Sequence, residues 1–213
     1  MANKEWANNE WFRNTEWNPE IEAKFFERLR RARDKAQYLK LQAYYLAESH
    51  PRVTLALIDK FFALGEDFFL ADAHLASANA HLALGESSEA ISSFKKALAA
   101  ERQHPGYRTT AWSEFVLLVA DRCLKSEFDE ALRVLAENKT DLIFPKLVFV
   151  WHGAFALIKA EREDRAAAKE HAIMALDAGK MNRSGFRRQS KVGLVGSECD
   201  GVRKKLERLC RKV

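Results

Sequence analysis

Residues Ala71–Ala100 read ADAHLASANAHLALGESSEAISSFKKALAA, and this stretch decides the fold. Its apolar residues follow the period of an amphipathic helix on both sides of one break. The break is Gly85-Glu86-Ser87, and glycine commonly ends a helix because it adopts positive φ without strain. The stretch therefore predicts two short helices, Ala71–Leu84 and Ser88–Ala100, joined by a turn.

Helix signals continue on both sides of this unit. Asn18-Pro19-Glu20 has the cap residue, the proline and the acid that begin a helix. Asp34 and Gln37 have capping-box spacing, so one helix ends near Arg33 or a single helix runs to about Ser49. His50-Pro51 begins another helix, since proline disfavours helical geometry in the residue before it. All four prolines (19, 51, 105 and 145) lie at predicted helix starts. Further helices are predicted at Thr109–Lys125, Phe128–Lys139, Lys146–Arg162 and Arg165–Ala178.

The turn at Gly85 has two weaker counterparts along the chain. Leu84–Ala90 aligns with Lys125–Ala131 and with Arg162–Ala168. The successive offsets are 41 residues (84 to 125) and 37 residues (125 to 162). A recurring unit of this length is typical of helical repeat proteins.

The central unit resembles the tetratricopeptide repeat (TPR) family. The family pattern of small residues, glycine, an aromatic residue and a final Ala-Leu is supplied by Ala78, Gly85, Ala90, Phe94, Ala97 and Leu98. The resemblance covers about residues 37–179 and is degenerate outside the central unit, where Ser126 and Glu163 replace the glycine. It implies an all-α fold, a right-handed α-α superhelix (a TPR-like solenoid) of antiparallel helix pairs, with a C-terminal capping helix.

The resemblance also implies a groove that binds an extended peptide or a helix. Leu75 and Asn79 are its candidate partner-binding residues in the central unit. Only Asn79 suits a peptide carboxylate, so a carboxylate clamp is not expected. The groove either binds an apolar peptide or helix, or is filled by the chain's own arm or tail. The positions that the family assigns to it are mainly apolar: Asp72, Leu75, Asn79, Leu82, Ala83, Ser113, Val116, Ala120, Cys123, Val150, Gly153, Leu157 and Glu161.

Residues 1–18 form a tryptophan-rich N-terminal arm ahead of the repeat domain, residues 19–179. Trp6, Trp11 and Trp17 are three of the five tryptophans in the chain. A large aromatic side chain buries roughly 150–250 Å² when it packs. The arm is therefore predicted to fold back over the first helices as a cap; the alternatives are a partner-binding aromatic patch and simple disorder.

Residues 180–213 form a basic loop and a C-terminal helix packed on the same domain. They hold eleven Lys and Arg against three Asp and Glu, a net charge of +8, whereas residues 1–179 hold 24 against 27. A short extended piece is predicted at Lys191–Val195, followed by a helix over Glu198–Lys212. Phe186, Arg187 and Arg188 are candidates for phosphate contact with base stacking, or for contact with an acidic protein. The alternative is a capping helix whose basic residues only keep it soluble.

No catalytic constellation, metal site or cofactor site is predicted. His74 and His81 lie where the family places packing residues, so they are interpreted as core or half-buried rather than as a metal pair. His152 and His171 lie on different predicted helices without an obvious acidic or nucleophilic partner.

Cysteine spacing and hydropathy point to a cytoplasmic location. The three cysteines have no C-x-x-C spacing, so a disulfide scaffold is not expected. The N-terminal residues have no apolar stretch of the secretory kind. Leu142–Ile158 is apolar but shorter than the roughly 20 residues that span a bilayer.

These observations predict a non-catalytic protein–protein interaction scaffold or adaptor that binds a protein or peptide. Regulation or neutralisation of a partner enzyme is one form of this role. The alternative is a nucleic-acid-binding module that acts through the basic C-terminal segment. No membrane partner is expected.

Overall fold

A computed structural model of the chain describes residues 10–140, 142–186 and 188–211. These residues form ten α-helices and two 3₁₀ turns, and none of them lies in a β-strand. The described chain is therefore all-α, as predicted. The helices are α1 (Pro19–Arg31), α2 (Lys35–Leu46), α3 (Pro51–Phe62), α4 (Leu70–Leu84), α5 (Ser87–Gln103), α6 (Ala111–Asp121), α7 (Phe128–Glu137), α8 (Pro145–Glu161), α9 (Arg165–Gly179) and α10 (Asp200–Arg211).

The chain divides into two compact units, residues 1–111 and residues 112–213. In the first unit α2 packs on α3, α3 on α4, and α4 on α5. In the second unit α8 packs on α9, and α10 packs on both of them. Packing between helices that follow each other in the chain is compatible with a helical repeat.

Most predicted helix starts are confirmed by their caps. The Asn18 side chain accepts hydrogen bonds from the N–H groups of Glu20 and Ile21, at 3.0 and 2.9 Å. The Asp34 carboxylate accepts one from the Gln37 N–H at 3.0 Å, so the chain breaks there and α2 is a separate helix. The prediction for Pro105 was wrong, because Pro105 lies in the α5–α6 connection and α6 begins only at Ala111.

Three helices, α4, α6 and α8, end in the same turn. The residues after them, Gly85, Cys123 and Glu163, all have left-handed backbones, with φ of 80°, 53° and 64°. In each turn the following N–H donates to a carbonyl five residues back, which is the Schellman motif. The left-handed residue of the middle turn is Cys123, so the predicted equivalence of Ser126 with Gly85 was wrong. The hydrogen bonds join Glu86 to His81, Leu124 to Val119 and Asp164 to Lys159, at 2.9, 3.0 and 3.0 Å.

In the second unit, α10 covers a predicted groove position. Val202 and Leu206 of α10 are buried, as their spacing predicted. A Cβ on Gly153 of α8 would lie 3.3 Å from the Leu206 side chain, so glycine allows this close approach. The chain's own last helix therefore covers Gly153.

The predicted extended piece at Lys191–Val195 is wrong, because the backbone turns there instead. Gly193 has φ of 69°, in the left-handed region. Its carbonyl accepts a hydrogen bond from the Lys146 N–H at 2.8 Å, in the first turn of α8. The segment therefore caps a helix rather than pairing as a strand.

Candidate functional site

The described part of the N-terminal arm folds back over α1 and α2. The Trp11 ring lies 5.3 Å from the Phe25 ring and 4.9 Å from the Tyr38 ring, between centroids. The Trp17 ring lies 5.6 Å from Phe25. The cap is thus confirmed for residues 10–18, and Trp6 lies outside the described residues.

A buried glutamine on α2 fixes the arm. The Gln42 Oε1 accepts hydrogen bonds from the Asn14 backbone N–H at 3.1 Å and from the Asn14 Nδ2 at 2.7 Å. The Gln42 Nε2 donates to the Asn14 carbonyl at 2.7 Å. Because Gln42 is fully buried, these bonds satisfy polar groups that water does not reach. Sequence reasoning missed this anchor, since a glutamine on a helix carries no signal for a partner 28 residues away.

Two cavities lie beside α1, one at each tryptophan of the described arm. The Trp17 cavity has a volume of about 260 Å³ and is lined by Trp17, Glu22, Phe26, Arg52, Val53, Ala56, Leu57 and Lys60. The Trp11 cavity has a volume of about 330 Å³ and is lined by Trp11, Asn14, Ile21, Lys24, Phe25, Glu27 and Arg28. The arm therefore forms walls of cavities in addition to covering the core.

The groove candidates of the central unit differ in exposure. Leu75 is only 4% exposed, and Asn79 is half-buried. Their roles in partner binding stay predictions.

Another predicted groove residue, Asp72, belongs to a polar network. Its carboxylate accepts hydrogen bonds from the Lys40 Nζ at 3.0 Å and from the Tyr107 hydroxyl. Lys40 also donates to the Tyr107 oxygen at 2.9 Å, and its Nζ lies 4.2 Å from the Phe69 ring centroid. Burial and the Asp72 carboxylate raise the pKa of Tyr107 above its ordinary value. The network ties the α5–α6 connection to α2 and α4.

In the second unit, hydrogen bonds shape the loop between α9 and α10. The Ser184 N–H donates to the Ser190 carbonyl at 2.6 Å, and the Ser184 Oγ donates to the Gln189 carbonyl at 2.8 Å. The Phe186 ring stacks on the Phe144 ring, with 5.2 Å between centroids and 29° between planes. Arg187 lies outside the described residues.

This loop and the residues just before α8 contain exposed apolar and cationic side chains. Phe186 and Val192 are each 44% exposed, and Ile143 is 68% exposed. Phe144 joins them, because it contacts Phe186 and lies against Gly193. We call this the Phe186 surface: Ile143, Phe144, Phe186 and Val192 with the exposed cations Arg183, Arg188 and Lys191. These three cations make no ion pair with any residue that the structure describes.

Two histidines that lie on different helices, His152 and His171, are in contact in the structure. The Nδ1 atoms of His152 on α8 and His171 on α9 lie 2.7 Å apart, so the N–H of one ring donates a hydrogen bond to the nitrogen of the other. Burial, followed by the charge of His171, lowers the pKa of His152 to about 4. Burial also lowers the pKa of His74 in the first unit to about 4, with Lys96 adding to the effect. The interpretation of His74 and His81 as core or half-buried is confirmed.

The described residues contain no group of three or more His, Cys, Asp or Glu side chains that could hold a metal ion. Cys123, Cys199 and Cys210 are free thiols. Within the same ranges, every helix is too short or too polar to cross a lipid bilayer. Comparison of the chain with protein-family models, with curated proteins and with solved structures gave no match.

Proposed function

We propose that this chain is a TPR-like interaction scaffold that binds a protein partner and catalyses no reaction. In this proposal its helices form a right-handed superhelix of antiparallel pairs, and the Phe186 surface of the second unit is the docking site. The observation that carries the proposal is the combination on that surface of exposed apolar side chains with cations that make no ion pair with a described residue.

The repeated turn supports the family assignment. Helices α4, α6 and α8 share one C-terminal motif, although only α4 is followed by glycine. The signature residues of the central unit are also buried, as they are expected to be when neighbouring helices pack on them: Ala78, Ala90, Phe94, Ala97 and Leu98.

The Phe186 surface suits a protein partner with an acidic segment. Ile143 and Val192, which neighbour Phe144 and Gly193 in the chain, add exposed aliphatic side chains. Aliphatic side chains match apolar side chains better than nucleobases. One face of the Phe186 ring already stacks on Phe144, which leaves less ring for base stacking. Arg183, Arg188 and Lys191 complement carboxylates at the rim of such an interface.

The loop is arranged for binding without a large entropic cost. Ser184 closes it with two hydrogen bonds, and Gly193 ties its end to α8. A loop held in one conformation loses less freedom when a partner docks, so more of the contact energy appears as affinity.

Nucleic acid is the second candidate, and the net charge of residues 180–213 favours it. Phosphate contacts would make binding fall steeply with salt, because counterions are released when phosphates are neutralised. An interface with an apolar centre would keep most of its affinity at moderate salt.

The test is affinity capture from native lysate with the tagged full chain, followed by mass spectrometry. Phe186→Ala should reduce recovery of the partner roughly tenfold, because an aromatic anchor is a common hot spot. Ile173→Ala is the matched control, since Ile173 is 45% exposed but lies on α9 outside the surface. Equal recovery by the native chain and Phe186→Ala would contradict the proposed site. Loss of the partner after nuclease treatment would favour the nucleic-acid alternative.

A further inference from the structure

The Trp17 cavity in the first unit has an apolar wall. Trp17, Phe26 and Val53 are half-buried and pack against the core cluster of that unit, and Leu57 belongs to the cluster. The cavity is therefore an unfilled extension of the core that opens to solvent. Its volume of about 260 Å³ is near the lower end of small-molecule sites, so it has room for one compact apolar group.

The rim of the cavity is cationic. Arg52 and Lys60 are both exposed on α3, and neither makes an ion pair with a described residue. The Lys60 Nζ lies 5.4 Å from the Phe26 ring centroid, at the edge of the apolar wall. Glu22 on α1 is the carboxylate in the lining, so the rim carries a net charge of +1 from two cations and one anion. The first turn of α3 contains no acidic residue that would neutralise Arg52.

We propose that the Trp17 cavity binds a small apolar carboxylate. Its phenyl-sized or branched aliphatic group fills the space between Trp17, Phe26 and Val53. Its carboxylate stays at the mouth and pairs with Arg52 and Lys60 through charge-assisted hydrogen bonds, which are stronger than neutral ones. This site is independent of the Phe186 surface, which belongs to the other unit.

Charge and shape can be tested separately with 3-phenylpropionate and its neutral analogue 3-phenylpropanol. Each is titrated into the ¹⁵N-labelled full chain while the indole N–H signal of Trp17 is followed. The acid should bind about fivefold more tightly than the alcohol, because only the acid pairs with the cations. Arg52→Gln with Lys60→Gln should remove this preference and leave binding of the alcohol unchanged. Equal affinities of acid and alcohol for the native chain would overturn the proposal.

A cavity-filling variant tests the location. Ala56 lines the cavity and is exposed, so Ala56→Phe should weaken binding of 3-phenylpropionate about tenfold by occupying its place. Ala99→Phe is the matched control, because Ala99 is an exposed alanine of α5 that lines none of these cavities. Undiminished binding to a folded Ala56→Phe chain would overturn the location.

If Ala56→Phe perturbs folding, Glu22→Gln decides instead. Removing this carboxylate removes its repulsion of the ligand, so the acid should bind about threefold more tightly and the alcohol equally well. An unchanged affinity for the acid would overturn the proposal.

Acetyl-glycyl-phenylalanine, with a terminal carboxylate, distinguishes a protein C terminus from a free acid as the source of the ligand. Binding as tight as that of 3-phenylpropionate assigns the site to a protein C terminus, and weaker binding assigns it to a free acid.

Discussion

Each unit contains a segment that combines aromatic and polar residues, but the two segments place their rings differently. In the first unit, Trp11 and Trp17 pack on Phe25, and a buried Gln42 lies beneath the arm. In the second unit, the hydrogen bonds of Ser184 lie within the loop itself, and Phe186 remains partly exposed. The two segments thus differ in where the polar anchor lies: below the arm, whose rings pack against the core, and inside the loop, whose Phe186 ring stays exposed.

The largest effect is expected from Gly193→Ala in the loop. A Cβ there would lie 2.4 Å from the Phe144 ring, and φ of 69° is strained for alanine. Together these effects should destabilise the second unit by about 3 kcal/mol. Urea denaturation followed by circular dichroism measures the change. Gly185→Ala is the control in the same loop, since a Cβ there meets nothing within 4 Å. Equal stability of the two variants would show that Gly193 does not fix the loop.

The corresponding change in the arm is Gln42→Leu. It leaves two groups, the Asn14 backbone N–H and carbonyl, without their partners, and the Asn14 Nδ2 keeps only its bond to the Trp11 carbonyl. This loss should cost about 2 kcal/mol. The arm should then detach, and trypsin should cleave after Arg13 faster than in the native chain. Gln37→Leu is the control, because Gln37 is exposed on the same helix. Unchanged proteolysis in Gln42→Leu would mean that ring packing alone holds the arm.

The sequence predicted the helices better than it predicted the contacts of these segments. Asn18 and Asp34 mark helix starts through hydrogen bonds to their own neighbours, and Pro51 marks one through its fixed backbone geometry, so local sequence is sufficient. The partners of Asp72 and Gln42 lie 28 to 35 residues away, and no periodicity encodes them. The same limit explains why His152 and His171 were not recognised as a pair.

Each unit contains a histidine with a lowered pKa, so mild acid should lower the stability of both units. Neutral His152 is favoured in the folded second unit, with its pKa lowered to about 4 from an ordinary 6.5. Between these values the unfolded chain binds a proton that the folded chain does not, so stability falls as the pH falls from 6.5 towards 4. Since His152 is only half-buried, the loss should be about 1 kcal/mol.

His74 should act in the same direction in the first unit, where its pKa is also lowered to about 4. Denaturation curves at pH 7 and pH 5 measure the combined loss. His152→Asn and His74→Asn should each reduce the pH dependence. His171, whose pKa burial also lowers, should account for part of what remains. A pH dependence as large in the double variant as in the native chain would assign the effect to other groups.

A smaller effect on stability is expected from substitutions in the repeated turns of the two units. Glu163 occupies the left-handed position that Gly85 occupies in the central unit, and a non-glycine residue is strained there. Glu163→Gly should therefore stabilise the second unit by about 0.5–1 kcal/mol, and Gly85→Ala should destabilise the first by a similar amount. Opposite signs in thermal denaturation would support the structural equivalence of the turns. Two changes of the same sign would contradict it. Sequence alignment paired Glu163 with Gly85 but missed Cys123, because backbone hydrogen bonds, and not glycine, define the motif.

The smallest effect on stability is expected at the Phe186 surface. Phe186→Ala removes a ring that contacts Phe144 on one side and solvent on the other, so the free energy of unfolding should change by less than about 1 kcal/mol. Phe12→Ala in the arm is the matched comparison. That ring packs on Trp11 and Tyr38 and should cost about 2 kcal/mol. Thermal denaturation of the two variants measures the difference. A larger loss for Phe186→Ala than for Phe12→Ala would mean that Phe186 serves the fold, and that its exposure is no evidence for a binding role. A larger loss for Phe12→Ala, as expected, would indicate that the arm stabilises the fold and that the Phe186 ring is available to a partner.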